Sequence, residues 1–133
     1  MGFDCAILLS CDSRYLPYVL HLARQLLVHC PKRQFDILIG SEEALDPPDW
    51  ALREGLRFVQ APAGMMPDDL PLKRLPRATY LKLAFPALLA GQYRRMLCLD
   101  ADVFMEGGDI DRLLRLPMGD HAVAASRDTL QFL

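Results

Sequence analysis

The sequence predicts an α/β fold with a mostly parallel sheet flanked by helices, and three observations carry that expectation. Short apolar runs alternate along the chain with a stretch of clear helical period, the pattern of linked β-α-β units. The runs are continuously apolar rather than alternating, which suits strands covered on both faces. With 133 residues and neither an internal repeat nor a linker, residues 1–133 read as one domain, large enough to bury a core without disulfide or metal staples.

The first strand is Cys5-Ala-Ile-Leu-Leu-Ser10, and it ends in the polar group Cys11-Asp12-Ser13-Arg14. Pro17 stands where a helix can start. Leu16, Val19, Leu20, Ala23, Leu26, Leu27 and Cys30 then recur at helical spacing until Pro31 stops the run. Phe35–Ile39 ending in Gly40 reads as a second strand and Leu56–Gln60 as a third, separated by Ser41-Glu-Glu and Pro47-Pro48. Ala61 to Pro76 holds four prolines, one glycine and two aspartates without a hydrophobic period, and reads as a long loop. Arg77–Leu89 resumes a helical pattern that Pro86 should kink or cut short. Met96–Leu99 is a further strand, Gly107-Gly108 a turn, and Asp109 an N-cap for a short helix carrying Ile110, Leu113 and Leu114. Ala122–Ala125 reads as a fifth strand.

Composition excludes several classes of function. The hydrophobic fraction of 52% rules out intrinsic disorder. Fifteen basic against seventeen acidic side chains, with no basic run, lack the electrostatic footprint of a nucleic-acid binder. No apolar stretch reaches the roughly 18 residues of a membrane span, and Met-Gly-Phe-Asp lacks a basic leader region, so a cytoplasmic protein is expected. Cys5, Cys11, Cys30 and Cys98 have no C-x-x-C spacing and read as core or near-core thiols.

The chemistry concentrates in Met96-Leu-Cys-Leu-Asp-Ala-Asp-Val-Phe104, where two carboxylates directly follow an apolar strand. If the backbone stays extended, Asp100 and Asp102 project to one side. Like charges so close are costly unless a cation or proton sits between them, and Mg2+ or Mn2+ fits, taking a few carboxylate oxygens and leaving positions for phosphate and water. The bland alternative is one carboxylate capping a turn and the other solvated. Asp12, ending the first strand, falls on the same sheet edge as Asp100. It could accept hydrogen bonds from a base or ribose, or equally form an Asx-turn or helix cap before Tyr15-Leu16-Pro17. No G-x-G-x-x-G or G-x-x-x-x-G-K-[ST] is present, so a metal would have to neutralise any diphosphate. Arg77 and Lys82 follow the proline-rich loop, where one cation could approach a phosphate or pair with an acid of the D-x-D; a solvated surface is the competing reading. His21, His29 and His121 have no metal-site spacing, and no serine lies in G-x-S-x-G.

Taken in order, Leu9-Ser-Cys-Asp-Ser-Arg-Tyr-Leu-Pro-Tyr18, Arg77-Ala-Thr-Tyr-Leu-Lys-Leu83, Tyr93-Arg-Arg-Met-Leu-Cys-Leu-Asp-Ala-Asp-Val103, Gly108-Asp-Ile-Asp-Arg-Leu-Leu114 and Ala124-Ala-Ser-Arg-Asp128 resemble glycosyltransferase family 8. That family includes sequences of the glycogenin and bacterial lipopolysaccharide hexosyltransferase type. The resemblance implies a GT-A fold with a Rossmann-like nucleotide-binding sheet, and transfer of a hexose from a UDP-sugar to a saccharide or other hydroxyl acceptor with retention of configuration. It implies Mn2+ or Mg2+ as cofactor at Asp100 and Asp102, and donor-binding positions at Asp12, Arg77, Lys82, Asp100 and Ala101, with Asp12 toward the uracil end. The sequence departs from the family at Ser13 and Arg14, where an acidic or amide side chain often stands.

Family members usually run to about twice this length, and their later half supplies acceptor contacts and an H-x-x-G-x-x-K-type segment with a third metal ligand. This sequence holds no such segment, so the nucleotide-binding half alone is expected, as a fragment or a shortened protein. Such a half should expose apolar surface, with dimerisation as one remedy. A non-catalytic nucleotide-sugar-binding module that needs a partner is the alternative. A haloacid dehalogenase-like phosphatase would use the first acid of its D-x-D as nucleophile, but carries that motif after its first strand with Thr or Val where Phe104 stands.

Overall fold

The structure, a computed structural model, describes residues 2–126. Its centre is a four-stranded sheet, with β1 (Cys5–Ser10), β2 (Asp36–Ser41), β3 (Arg57–Gln60) and β4 (Arg95–Leu99) in the order β3-β2-β1-β4. Every pairing is parallel, with Ile7 level with Ile37 on one side and Leu97 on the other. The expected Rossmann-like α/β arrangement is therefore observed. β1 and β2 are buried at every position, as continuously apolar strands must be. Leu56 is buried but lies just before β3 rather than inside it.

Helices cover both faces. On one, α1 (Leu16–His29) sets Val19, Leu22, Ala23 and Leu26 against Ile7, Leu9, Ile37 and Ile39, together with Ala51 of α2 (Asp49–Arg53) and Leu114 of α4 (Ile110–Leu114). Pro17 sits in the first turn of α1, where its missing N–H has no helical partner to lose. On the other face, α3 (Leu81–Leu88) buries Leu81 and Phe85 against Ala6, Leu8 and Leu38. Gly40 makes this packing possible, because a Cβ there would lie 2.5 Å from the Phe85 ring.

Several expectations are corrected. The helix over Arg77–Leu89 is two pieces, a 3-10 turn over Arg77–Tyr80 and then α3, which holds Pro86 inside its last turn and ends at Leu88. The short helix α2 is an addition, since Pro47-Pro48 read as a breaker. Pro48 is its N-cap, and Arg24 of α1 stacks 4.0 Å over the Trp50 ring. The fifth strand over Ala122–Ala125 is absent: these residues are exposed, Val123 at 80%, and pair with no strand. Three alanines in four residues bring little β-propensity and little apolar surface to hold against the free edge of β4. Arg127 and Asp128, in the last block of the resemblance, lie outside the described residues. Asp109 does cap α4, its side chain accepting from the Arg112 N–H at 3.0 Å.

At the amino ends of the strands a polar cluster ties three strands together. Tyr93 Oη donates to Asp36 at 2.7 Å, and Arg57 donates to the Tyr93 hydroxyl. Burial, then the Asp36 hydrogen bond, push the Tyr93 phenol up to about 12.

Candidate functional site

Because all four strands run the same way, their carboxyl ends share one edge. The connections after β1 and β2 move outward through β2 to β3, and the chain then returns across the sheet to place β4 on the other side of β1. The order reverses between β1 and β4, which is where open α/β sheets form a ligand crevice. Leu9 is level with Leu99, so Asp12 follows β1 and Asp100 follows β4 on the two sides of that reversal.

Asp12 is held by its own turn. Its Oδ1 accepts from the N–H groups of Arg14 at 3.0 Å and Tyr15 at 3.1 Å, closing an Asx-type turn ahead of α1, and its Oδ2 lies 3.4 Å from Arg14 Nη2. Of the two readings open for Asp12, the turn is the one its contacts in the structure display.

The backbone does not stay extended through the D-x-D. β4 ends at Leu99, and residues 100–103 form a turn in which the Val103 N–H reaches the Asp100 carbonyl at 3.3 Å. The period-two expectation for Asp100 and Asp102 therefore fails, since past the last ladder bond nothing holds the chain in a pleat. Both acids are exposed, and Ala101 between them is partly buried against the α1 face of the sheet. The chain then lies along α1, where Met105 N–H donates to Gln25 at 2.8 Å and Phe104 meets His21 edge-on with ring centroids 5.7 Å apart.

Lys82, on the first turn of α3, reaches across and pairs with Asp100. Arg77 does not join them. Its Nε and Nη2 grip the two carboxylate oxygens of Glu42 at 2.7 and 2.9 Å, and its remaining contacts go to main-chain carbonyls. That bonding raises the Arg77 pKa above its ordinary value. Five residues apart on a helical path, Arg77 and Lys82 point to different strand ends.

Glu42 and Glu43, directly after β2, organise this edge and carry no recognised motif. Glu43 accepts from the Ser13 N–H at 2.5 Å, while its own N–H donates to Ser41 Oγ at 3.2 Å. Acids directly after an apolar strand are the signal that singles out Asp100, and the same rule applied to β2 would find them.

Cys11, directly after β1, belongs to the core and is 1% exposed. Burial, with Asp12 and Glu43 adding to it, pushes its thiol up to about 12. It is a neutral core thiol, without the thiolate that nucleophilic chemistry requires. An open cavity of about 440 Å³ lies at the carboxyl ends of β2 and β3, lined by Glu42, Gln60, Met66, Pro67 and Arg77 among others. A somewhat larger one, about 520 Å³ and lined by Asp109, Asp111, Arg112 and Arg115, sits at the opposite end of the sheet, since Arg95 at the start of β4 donates to the Leu114 carbonyl at 3.1 Å.

Carboxylates such as those of the D-x-D are the donor type a hard divalent ion takes. Asp100 and Asp102 offer carboxylate oxygens at an exposed turn, and among the described residues no cluster of three or more acids, histidines or cysteines is gathered. The remaining positions would fall to phosphate oxygens and water, the mode Mg2+ and Mn2+ use with nucleotides. Among the described residues no helix is long and apolar enough to cross a membrane.

In a comparison with protein families, the model of glycosyl transferase family 8 matches residues 6–132. Comparisons with curated proteins and with solved structures gave no match.

Proposed function

We propose that this chain, which belongs to glycosyl transferase family 8, uses the carboxyl edge of its sheet to bind a UDP-sugar whose hexose passes to a saccharide or other hydroxyl acceptor with retention of configuration. The observation that supports the reading is that Asp12 and the D-x-D follow neighbouring strands at the point where strand order reverses.

In this reading Asp12 faces the uridine end of the donor. The Arg14 and Tyr15 N–H groups occupy its Oδ1, while Oδ2, which meets the exposed Arg14 side chain at 3.4 Å, is the oxygen that would turn to the ligand. Asp100 and Asp102 are the residues that would hold Mn2+ or Mg2+, and Ala101 between them would be a donor-binding position. Such an ion, when bound, offsets the charge that develops on the departing diphosphate. Lys82, which pairs with Asp100 in the structure, is the cation that would meet the donor's phosphates if that acid held a metal.

The test is calorimetry of UDP binding to the full chain. Binding is expected with Mn2+ or Mg2+, lost with chelator and lost in Asp102→Ala. Metal-independent binding by that variant would overturn the assignment. Transfer from a radiolabelled UDP-hexose separates the enzyme from the binding module: tight, metal-dependent UDP binding without transfer or donor hydrolysis favours the module. A phosphatase of the haloacid dehalogenase type is disfavoured, because the D-x-D follows β4 rather than β1.

A further inference from the structure

Ala61–Pro76 contains four prolines and neither helix nor strand, yet its path is pinned by the turn that follows it. Arg77 Nη1 donates to the Pro67 carbonyl at 2.7 Å and Nη2 to the Met66 carbonyl at 3.1 Å. Tyr80 Oη donates to the Pro71 carbonyl at 2.7 Å. The same Arg77 fork holds both oxygens of Glu42. Glu42 is itself fixed from behind, its carbonyl accepting from Gln60 Nε2 at 3.1 Å while the neighbouring Ser41 carbonyl accepts from the Ala61 N–H at 2.7 Å. A guanidinium has five N–H donors in a fixed plane, and these contacts engage the Nε and both Nη groups.

We propose that Glu42 and Arg77 are a positioning pair: they hold residues 61–76 as a fixed wall at the carboxyl edge of the sheet, and Arg77 acts on the donor through that wall without touching phosphate. The second half rests on the donor reading above; the first half does not. A long loop with no ladder of its own samples many conformations unless side chains order it, and ordering deferred to the moment of binding is paid for in affinity. Only a planar fork can hold a carboxylate and two carbonyls together, so lysine is a poor substitute here although it keeps the charge. Phosphate contact predicts the reverse, with lysine a fair replacement and Glu42 a competitor.

The loop carries its own reporter, since Lys73 and Arg74 are exposed trypsin sites within it. Arg77→Lys, Glu42→Gln and the double variant are compared in the full chain, with a circular-dichroism melt showing that each is folded. Each single variant is expected to speed cleavage at Lys73 or Arg74 about fivefold or more and to weaken UDP binding in Mn2+ by a similar factor, the double variant being no worse than either. Cleavage is read without nucleotide, so unchanged cleavage in both single variants overturns the clamp whatever the ligand is. Faster cleavage with unchanged UDP affinity overturns its link to the donor. UDP binding that is equal or tighter in Glu42→Gln and retained in Arg77→Lys makes Arg77 a phosphate ligand and overturns the positioning role. A native chain that binds no UDP overturns the donor reading and that link together, while the cleavage arm still decides the clamp.

Discussion

A lysine already occupies Asp100, so the strength of that pair governs any metal that would bind there. The Asp100 side chain is 58% exposed and that of Lys82 28%, and ion pairs this open to water contribute about 0–1 kcal/mol. A divalent ion displaces such a partner easily. Lys82→Met is therefore expected to raise the affinity of the nucleotide-free chain for Mn2+ about two- to fivefold by calorimetry; a fall would show that the lysine supports the site rather than competing for it. Cys11 gives a pH dependence with a definite sign. Its thiol is raised from 9.0 to about 12, so between those values the unfolded chain has lost a proton that the folded chain keeps. The resulting stability is complete below pH 9 and is lost as pH rises toward 12, on the order of 4 kcal/mol over the window. Urea midpoints at about pH 8 and about pH 10.5 should separate more for the native chain than for Cys11→Ala, and equal separations would count against the thiol. The residue types of the edge were legible in the sequence, because acids and bases next to apolar strands stand out. Their partners were not. Which cation meets Asp100 and which meets Glu42 depends on how α3 lies across the sheet, and spacing along the chain carries no such information.

Among the elements, α1 and the strands were readable because burial on one or both faces writes its period into the sequence. The misses have the opposite character. α2 is five residues long and held by Ala51 and the stacking of Arg24 on Trp50, contacts between elements that leave no period behind. The fifth strand was inferred from apolar character alone, and four small residues at 122–125 form no ladder in the structure. The turn at 100–103 was beyond reach for a related reason: an apolar strand announces its body but not the residue at which hydrogen bonding stops. The seat of α3 on the sheet is the feature most exposed to a single change. Phe85 is fully buried, so its ring cannot swing aside for a Cβ at Gly40. Gly40→Ala is expected to cost about 1–3 kcal/mol, read as a lower urea midpoint with an unchanged slope. An unchanged midpoint would mean that α3 shifts along the sheet without penalty.

For the molecule as a whole, the strand order decides which end can work as a site. A chain that went from β3 to a fourth strand beyond it would have no reversal; the return across the sheet to the far side of β1 creates one, the kind of point at which open α/β sheets bind ligands. The sequence predicted the parallel sheet but not this order, because strand pairing is set by contacts distant along the chain. The two ends of the sheet then differ in kind. The amino end carries a larger cavity lined by Arg112 and Arg115, while the carboxyl end carries Asp12, the D-x-D and Lys82. If the donor binds at the carboxyl end, saturation with UDP and Mn2+ stabilises the fold by mass action, by about 2.7 kcal/mol at a hundredfold excess over the dissociation constant. At about 3–5 °C per kcal/mol for a chain of this size, the melting temperature should rise by about 10 °C. Asp12→Asn should diminish that rise, since the amide gives up the negative charge that would accept from the uridine. Arg112→Ala with Arg115→Ala should leave it intact, although those side chains line the bigger cavity. The opposite result, a shift kept in Asp12→Asn and lost in the arginine pair, would move the nucleotide to the amino end and make the aspartates after β1 and β4 no more than turn-forming residues.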